Sequence, residues 1–345
     1  MRIFVTGGTG FVLSNVVRHL LRTQRDAQAV VLDSAAPSAI VESFFERFAD
    51  RLQFVQGDVR DQVLLRFLSG QGGFSHVVHG ATVTHDAQAE RRDPVRYIDV
   101  NLNGTVSVLE WQRAQPGLER LIHVSTGGVY GDPTSLSPVD IQPESGPFDP
   151  PELYAVSKYA AELVARRYGV LFRLPVCRIR LSDVFGPMER PTGARSASCM
   201  SLPYRMMRAT IEHRPLRVSK ETLDAAGDFL SAEDVAEAVA RLLFAPSLSH
   251  DVFNIAAGRR YPVVQLFECF RHVIPQFTWE AVPADREEVR FDPENRLARY
   301  NAYSISRIRE LGWNPRPLEA QLKSYAEWVD GDPQRRCPKL DEKST

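Results

Sequence analysis

A tyrosine and a lysine four residues apart, Tyr154 and Lys158 in the run YAVSK, are the residues best suited to chemistry. This spacing places two side chains on one face of a helix. A tyrosine hydroxyl ordinarily has a pKa of about 10, and a cation one turn away stabilises the phenolate, so the pair can act as a general base. An isolated pair of this kind is more often part of an ordinary amphipathic helix, so a third group is needed.

Thr126 supplies that third group. It ends the apolar run LIHVST at residues 121–126, which has the composition of a buried strand. Open α/β sheets bind ligands at the carboxyl ends of their strands, where the Thr126 hydroxyl can hydrogen-bond a substrate alcohol or carbonyl. The three residues together favour proton abstraction from a substrate hydroxyl.

A second candidate site lies at the start of the chain, in the run TGGTGFVLSN at residues 6–15. A glycine-rich turn between a strand and a helix brings backbone N–H groups to phosphate oxygens, so Gly7 and Gly10 predict a dinucleotide site. Asp33 ends the second predicted strand, where its carboxylate can accept both hydroxyls of an adenosine ribose. The same carboxylate repels a 2′-phosphate, which favours NAD over NADP.

Two later turns fit the same cofactor. GDVRD at 57–61 places Asp58 and Val59 along the adenine edge, and HGAT at 79–82 offers small residues for close passage of the dinucleotide. Each turn is a weak signal alone. Their order along the chain supports the prediction.

Alternating strands and helices position these groups. Apolar, mostly β-branched runs of strand length occur at residues 2–6, 29–33, 52–58, 76–82 and 121–126. Helical patterns separate them at residues 11–25, 39–49, 61–69 and 101–114. The alternation predicts an α/β fold of the Rossmann type, a doubly wound parallel sheet with right-handed crossovers.

The later part of the chain reads less regularly. Helical patterns at 152–169 and 231–246 flank a strand and turn at 176–186. The Pro-rich run at 131–151 indicates an extended surface loop. The stretch 187–228 has weak periodicity and indicates an irregular insert that binds substrate.

We divide the chain of 345 residues into three expected parts. We expect an NAD-binding Rossmann domain at 1–180 and a small C-terminal α/β region at 181–330. That region mainly binds substrate, and some of its segments return to the first core. A polar tail follows at 331–345.

Composition narrows the class of partner. A net charge of −1 disfavours nucleic acid and anionic membranes, and the longest apolar stretches are too short to span a bilayer. The N-terminus has no signal-peptide pattern, so we expect a cytoplasmic protein. Cys177, Cys199, Cys269 and Cys337 are far apart, which predicts free thiols and no metal site.

The order of these motifs resembles the extended short-chain dehydrogenase/reductases of the NAD-dependent sugar epimerase/dehydratase family. The resemblance covers about residues 1–330 and rests on TGGTGF, Asp33, GDVRD, HGAT, NLNGT, STGGVYG, YAVSK, DVFGP, GDFLSAEDVA, FNIAAG and RIRELGWNP. It implies that Thr126, Tyr154 and Lys158 are catalytic, with NAD as cofactor and Tyr154 as the base. It also implies a homodimer that packs the Tyr-Lys helices together.

The resemblance extends the set of cofactor contacts. Lys158 would also hydrogen-bond the nicotinamide ribose, and Asn101 would shape the site from a neighbouring helix. The cofactor contacts expected in full are Gly7, Thr9, Gly10, Phe11, Val12, Asp33, Asp58, Val59, Gly80, Ala81, Thr82, Asn101, Tyr154, Lys158 and Leu181.

The chain departs from the family pattern after the catalytic threonine. Dehydratases of the family carry Asp-Glu there, an acid and a base for eliminating water. This chain carries Gly127 and Gly128, which have no proton to give. We therefore expect dehydration to be disfavoured.

Two further departures fall where the family holds the diphosphate of its substrate. Asp183 replaces an asparagine in DVFGP, and Gly227 replaces an arginine in GDF. A carboxylate near a diphosphate is repulsive unless it is protonated or bridged by a cation. Arginines elsewhere can compensate, and the expected substrate contacts are Thr82, Thr126, Asp183, Arg190, Arg195 and Arg286.

The last departure is Leu13, which stands where a third glycine normally lets the helix pack closely. A neighbour must shrink or the helix must shift, and NAD binding survives with an altered fit. Three functions stay open. They are epimerisation of a nucleotide sugar through a keto intermediate, net dehydrogenation of a non-nucleotide sugar, sugar acid or secondary metabolite, and a non-catalytic NAD-binding role.

Overall fold

The computed structural model describes residues 1–131, 141–192, 200–289 and 302–331. Its strands are β1 (Arg2–Thr6), β2 (Gln28–Asp33), β3 (Leu52–Gln56), β4 (His76–His79), β5 (Arg120–Thr126), β6 (Ile141–Gln142), β7 (Val176–Leu181), β8 (Asp183–Phe185), β9 (Leu216–Val218), β10 (Ala226–Gly227), β11 (Phe229–Ser231), β12 (Val252–Ile255), β13 (Tyr261–Pro262), β14 (Trp279–Ala281) and β15 (Ala302–Tyr303).

Helices connect these strands. They are α1 (Phe11–Thr23), α2 (Ala39–Phe45), α3 (Gln62–Gly70), α4 (Ala87–Arg92), α5 (Val95–Tyr97), α6 (Gly104–Arg113), α7 (Leu153–Phe172), α8 (Leu202–Ile211), α9 (Lys220–Leu223), α10 (Ala232–Phe244), α11 (Val263–Val273), α12 (Ser306–Arg309) and α13 (Leu318–Asp330). A π-helical segment, Ile98–Asn103, joins α5 to α6. Of the helices that the structure describes, none is long and apolar enough to cross a membrane.

Seven parallel strands form the main sheet, in the order β12-β7-β5-β4-β1-β2-β3. The chain runs outward from β1 in both directions, so the strand order reverses between β1 and β4. The carboxyl ends of the strands open a crevice at such a reversal. The sheet is the doubly wound Rossmann type predicted from the alternating pattern.

Helices cover both faces of the sheet. Side chains alternate along each strand, so each face of the sheet contributes to a separate core. Ile3 and Val5 of β1 join a core that includes α1, α2 and α10, and Phe4 joins a core on the other face with α3, α6 and α7. Strand β12 and helix α10, from the later part of the chain, thus belong to the first core. The domain boundary at residue 180 stays a prediction.

A third core lies in the C-terminal region. It gathers apolar side chains of α8, α11 and α13, among them Met206, Phe267 and Leu322. The expectation of an irregular insert at 187–228 is therefore wrong in part, because this stretch contains α8, β9, α9 and β10. Leu202, Met206 and Ala209 give α8 a buried stripe at helical spacing that its Pro, Met and Arg content obscured.

The Pro-rich run at 131–151 also contains structure that was not predicted. Its residues 141–142 form β6, which pairs in parallel with β15 at Ala302–Tyr303. Residues 132–140 and the tail after 331 lie outside the described residues. The pairing brings a distant segment under the end of β5, which matters for the site.

Candidate active site

The glycine-rich turn passes close to the end of β4. Gly7 has φ +77°, and a Cβ there would lie 3.0 Å from the backbone nitrogen of Ala81 and from the oxygen of Gly80. The turn closes with the Gly10 N–H donating to the Gly7 carbonyl at 3.1 Å, directly before α1. The backbone therefore forms a cradle that a side chain at residue 7 would fill, beside the N-terminus of a helix.

Asp33, at the end of β2, belongs to the same turn. Its Oδ2 accepts the Thr9 N–H at 3.2 Å and the Thr9 hydroxyl at 2.6 Å. These bonds fix one carboxylate oxygen against the turn. Its role as a ribose acceptor stays a prediction.

Leu13 is accommodated by a glycine opposite. The side chain is buried, with 5% exposure, and its Cδ1 and Cγ occupy the room that a Cβ on Gly80 would need. A neighbour has shrunk, so the turn before α1 keeps its close contact with the end of β4. Leu13 fills the space and does not enter the cradle at Gly7.

Lys158 lies on α7, one turn after Tyr154. The lysine side chain is 2% exposed, and within the described part of the chain its ammonium has no hydrogen-bond partner. Burial lowers the pKa of Lys158 to about 8, against a smaller opposing effect of Glu162. A buried amine without a partner is costly unless a ligand completes its hydrogen bonds.

Thr126 ends β5 beside the same helix. Its Oγ1 accepts the N–H of Gly128 at 3.1 Å, and a Cβ on Gly128 would lie 3.4 Å from that oxygen and 3.6 Å from the Cβ of Ala155. Ala155 follows Tyr154 directly, so Thr126 and the start of α7 meet around Gly128. No acceptor for the Thr126 hydroxyl proton lies among the described residues, which leaves that proton for a ligand.

Asn101 ties the turn after β4 to α7. Its Oδ1 accepts the Thr82 hydroxyl at 2.9 Å and the Val83 N–H at 2.8 Å, and its Nδ2 donates to the Val83 carbonyl and to Ser157 Oγ at 3.0 Å. The Ser157 hydroxyl donates to the Tyr154 carbonyl at 2.8 Å. Asn101 lies in the π-helical segment, a feature often found at functional sites. Sequence reasoning missed Ser157.

These groups fit a dinucleotide. The cradle at Gly7 offers backbone N–H groups at the start of α1, Asp33 offers a ribose acceptor, and the Lys158 amine lacks a partner in the described structure. Thr126, Tyr154 and Leu181 are brought to one edge of the sheet, with Leu181 directly opposite Thr126 in the β5–β7 register. A nicotinamide ring here would reach the same edge as a substrate hydroxyl.

Other predicted cofactor contacts vary in exposure. Phe11 is buried, Val12 is half-buried, and Val59 packs against Gly104, where a Cβ would lie 2.9 Å from its Cγ1. The Asp58 carboxylate is bound by the Arg60 guanidinium at 2.6 Å, whose hydrogen bonds hold the pKa of Asp58 below its ordinary value. Their role in cofactor binding stays a prediction.

Tyr303 fills the space beside Gly127. The aromatic Cζ would lie 2.6 Å from a Cβ on residue 127, and the phenolic oxygen lies closer still. The pairing of β15 with β6 carries this ring to the end of β5. Gly127 is thus required by packing as well as lacking an acidic group.

Asp183 follows β7 at the same edge of the sheet. Its carboxyl is half-buried and has neither a hydrogen bond nor an ion pair within the described structure. Burial, the Asp228 carboxylate and the Glu189 carboxylate raise the pKa of Asp183 to about 7. Those two neighbours are engaged elsewhere, Asp228 with three backbone N–H groups and Glu189 with Ser201.

Gly227 is buried against an aromatic ring. A Cβ there would lie 2.7 Å from Cζ of Phe229, so a longer side chain requires that ring to move. The cation missing at this position has therefore been replaced by packing.

The arginines expected to compensate are not equivalent. Arg190 is half-buried, donates to the Met188 carbonyl at 3.1 Å and has no acidic partner among the described residues, and burial lowers its pKa. Arg286 is exposed at the end of a short 3₁₀ turn. Arg195 lies outside the described residues. Arg190 is the stronger candidate for an anionic ligand.

Fold and site define a dinucleotide-dependent enzyme of the short-chain dehydrogenase/reductase type, and the comparisons give its family. The profile of the NAD dependent epimerase/dehydratase family matches residues 3–256, so the chain belongs to that family. The family is NAD dependent, and NAD is the cofactor.

Relatives of both reaction types resemble the chain over nearly its whole length. The dTDP-D-glucose 4,6-dehydratase of Mus musculus is 30% identical, covering 95% of this chain and 88% of that enzyme. The structure of UDP-glucose 4-epimerase from Thermotoga maritima with UDP-glucose superposes with a TM-score of 0.78 at 23% identity, covering 96% and 99% of the two chains. The Thermus thermophilus UDP-glucose 4-epimerase in complex with NAD gives 0.75 at 25% identity, covering 96% and 99%.

Proposed function

We propose that this protein oxidises a secondary alcohol on a sugar-type substrate. The observation that carries the proposal is the meeting of Thr126 with the Tyr154–Lys158 helix around Gly128, at the edge of the sheet where the cofactor cradle also opens. In this proposal the Thr126 hydroxyl, the Tyr154 phenol and the buried Lys158 amine face one substrate position. Such a set suits reversible proton transfer at an alcohol.

Each residue has a distinct task in this mechanism. Tyr154 takes the proton of the substrate hydroxyl, Thr126 donates a hydrogen bond to the substrate oxygen, and Lys158 stabilises the phenolate by its charge. NAD, held by the Gly7 turn, Asp33 and Lys158, would supply a reversible hydride acceptor beside the substrate carbon. Lys158 would also hydrogen-bond the cofactor's ribose, which would offset the cost of its burial.

Epimerisation of a nucleotide sugar is the first candidate reaction. The keto product would stay bound, turn its other face and be reduced again. The similarity of this chain to UDP-glucose 4-epimerases over nearly their whole length supports this candidate. Gly127 and Gly128 carry no acid or base for elimination, which argues against the 4,6-dehydratase reaction of other relatives.

Net dehydrogenation of a substrate without a nucleotide is the second candidate. It is favoured by Asp183, a half-buried residue whose carboxyl has no cation beside it among the described residues, and by the packing of Phe229 against Gly227. Arg190 is the group that would offset this loss if the substrate carries a diphosphate. Both candidates begin with the same oxidation.

One assay separates the candidates. Purified protein is given NAD and a panel of free and nucleotide-linked sugars, with NADH absorbance and product stereochemistry followed together. Inverted product without net NADH indicates an epimerase, and net NADH indicates a dehydrogenase. If neither NADH nor inverted product forms although NAD is bound, the enzymatic proposal is overturned in favour of a non-catalytic role.

Tyr154→Phe tests the assigned base. The variant keeps the ring and loses the hydroxyl, so turnover should fall by at least about a hundred-fold while NAD affinity changes little. Tyr159→Phe, five residues along the same helix, is the matched control and should keep activity. Full activity in Tyr154→Phe would sink the mechanism.

We also propose a homodimer built on α7. Val156, Leu163 and Val170 recur every seven residues on this helix and are 38%, 47% and 66% exposed, which makes a long apolar stripe. Ala161 and Ala165 face the protein's own core and are not available for contact. Leu163→Glu should convert the dimer to monomer in sedimentation velocity, and an unchanged sedimentation coefficient would contradict this interface.

A further inference from the structure

A buried histidine links the glycine-rich turn after β1, called the cofactor turn below, to α7, the catalytic helix that carries Tyr154 and Lys158. His79 ends β4 and is 1% exposed. Its Nδ1 lies 2.7 Å from the hydroxyl of Thr6, at the end of β1, and its Nε2 lies 3.0 Å from the hydroxyl of Thr105, on α6. The imidazole thus bridges two elements that belong to different halves of the site.

The Thr6 side fixes the role of Nδ1. Thr6 Oγ1 already accepts the N–H groups of Gly80 and Ala81, at 3.2 and 3.1 Å. Two accepted bonds fill its lone pairs, so its hydroxyl proton must be given away, and Nδ1 of His79 is the acceptor within reach. Through these bonds the histidine holds the backbone that faces the Gly7 cradle.

The Thr105 side fixes the role of Nε2. The Thr105 hydroxyl donates to the Asn101 carbonyl at 2.7 Å, which uses its only proton. The contact with His79 therefore has Nε2–H as donor. Asn101 in turn binds Ser157 of α7 through its side chain, at 3.0 Å.

We infer that His79 is a positioning residue, held as its Nε2–H tautomer, which sets the cofactor turn through Thr6 and the catalytic helix through Thr105 and Asn101. The inference about turnover rests on the proposed function. The two halves of the role are separable, because each ring nitrogen serves one of them. His79 touches neither substrate nor reacting atoms and acts through its neighbours.

The surroundings keep the ring neutral. A second proton on Nδ1 would leave the Thr6 proton without an acceptor, and burial followed by the charge of Lys158 lowers the pKa of His79 to about 3. The other titratable group that faces it is His123 on β5, with ring centroids 5.6 Å apart, and burial keeps that ring neutral too. His79 therefore has one proton arrangement throughout the working pH range.

Two substitutions divide the ring. His79→Asn retains an acceptor near Nδ1 and should keep NAD affinity while kcat falls about five-fold, the value of one lost hydrogen bond. His79→Gln retains a donor near Nε2 and should weaken NAD binding about five-fold while kcat at saturating NAD is kept. His79→Leu should show both losses.

His123→Leu is the matched control. This histidine is equally buried on the neighbouring strand, yet neither of its nitrogens has a hydrogen-bond partner in the described structure. Its replacement should leave NAD affinity and kcat near wild type. Thr105→Ser should behave as wild type, and Thr105→Val as His79→Asn.

Two readouts do not need turnover. NAD dissociation constants come from isothermal titration calorimetry, and hydrogen exchange of the α7 amides should quicken in His79→Asn but not in His79→Gln. Nitrogen-15 NMR should show Nε2 protonated and no titration between pH 5 and 9. Equal effects of Asn and Gln on both readouts, or a titrating His79, would overturn the inference even if no substrate of the proposed class is turned over.

Discussion

The side chain of Leu13 lies where a side chain on residue 80 would have to stand. Its Cγ would be 3.2 Å from a Cβ on Gly80, and its Cδ1 nearer still. A large residue on α1 and a glycine at the end of β4 thus share one volume. The turn keeps its shape because the glycine has moved from the helix to the strand end.

Gly80→Ala should destabilise the protein by about 1–3 kcal/mol, the usual cost of overpacking a buried contact. Leu13→Ala alone leaves a cavity and should also destabilise. The double variant should recover part of the loss, since the new methyl group occupies space that Leu13 has left. Urea unfolding of all four proteins measures the coupling, and strictly additive effects would show that the two residues do not share the volume.

Lys158→Met should stabilise the apoprotein and lower its affinity for NAD. An unfolded lysine keeps its proton to its ordinary pKa of 10.5, whereas the folded protein releases it near 8, so a burial cost is present in full below pH 8 and fades as the pH rises to 10.5. The gain is at most about 3 kcal/mol at pH 7. Urea unfolding at pH 7 and pH 10 checks it, and an equal gain at both would contradict the charge argument.

Asp183→Asn should favour anionic substrates. Removing a carboxylate from the site should tighten binding of a nucleoside diphosphate such as UDP about five-fold or more at pH 8. Calorimetric titration of UDP at pH 6 and pH 8 should show a smaller gain at pH 6, where the wild-type residue is mostly protonated. Unchanged UDP affinity at pH 8 would place the diphosphate elsewhere.

Asp183→Asn should also change the dependence of stability on pH. The folded protein holds the Asp183 proton up to about pH 7 and the unfolded chain only to about 3.8, so wild-type stability from this residue falls as the pH rises between these values. The variant should therefore be more stable than wild type at pH 8 and equal to it near pH 4. Thermal unfolding across this range provides the measurement.

Gly227→Arg alone should not restore phosphate binding. The new Cβ would lie 2.7 Å from Phe229 Cζ, so the substitution should instead destabilise the protein. Gly227→Arg with Phe229→Ala makes room for the guanidinium and should bind UDP more tightly than Phe229→Ala by itself. A tightly binding Gly227→Arg single variant would show that the ring moves freely.

The fold could be predicted because strands buried on both faces and amphipathic helices have different periods. The predicted β1 matches the structure at both ends, and α1 at its start. β4 ends at His79, three residues earlier than predicted, because the turn at 80–82 is apolar or small for closeness to the cradle and not for pairing. Periodicity does not distinguish these causes.

The site could be predicted only in part. Tyr154, Lys158 and Thr126 can be identified as candidates from residue type and spacing. Tyr303 cannot, because it reaches Gly127 through β15 from far along the chain. Thr6 and Thr105 carry no local signal, since a hydroxyl at a strand end is ordinary until its partner is known. His79 carries no distinct signal either, since β4 contains a second histidine, His76.

Tyr303 restricts which side chains residue 127 can carry. A carboxylate at residue 127 could not be introduced by one substitution without displacing the aromatic ring of Tyr303. A smaller residue at position 303 would make room, but by itself it would leave a cavity beside the end of β5. A reaction that needs an acid at residue 127 would therefore require coordinated substitutions at residues 127 and 303.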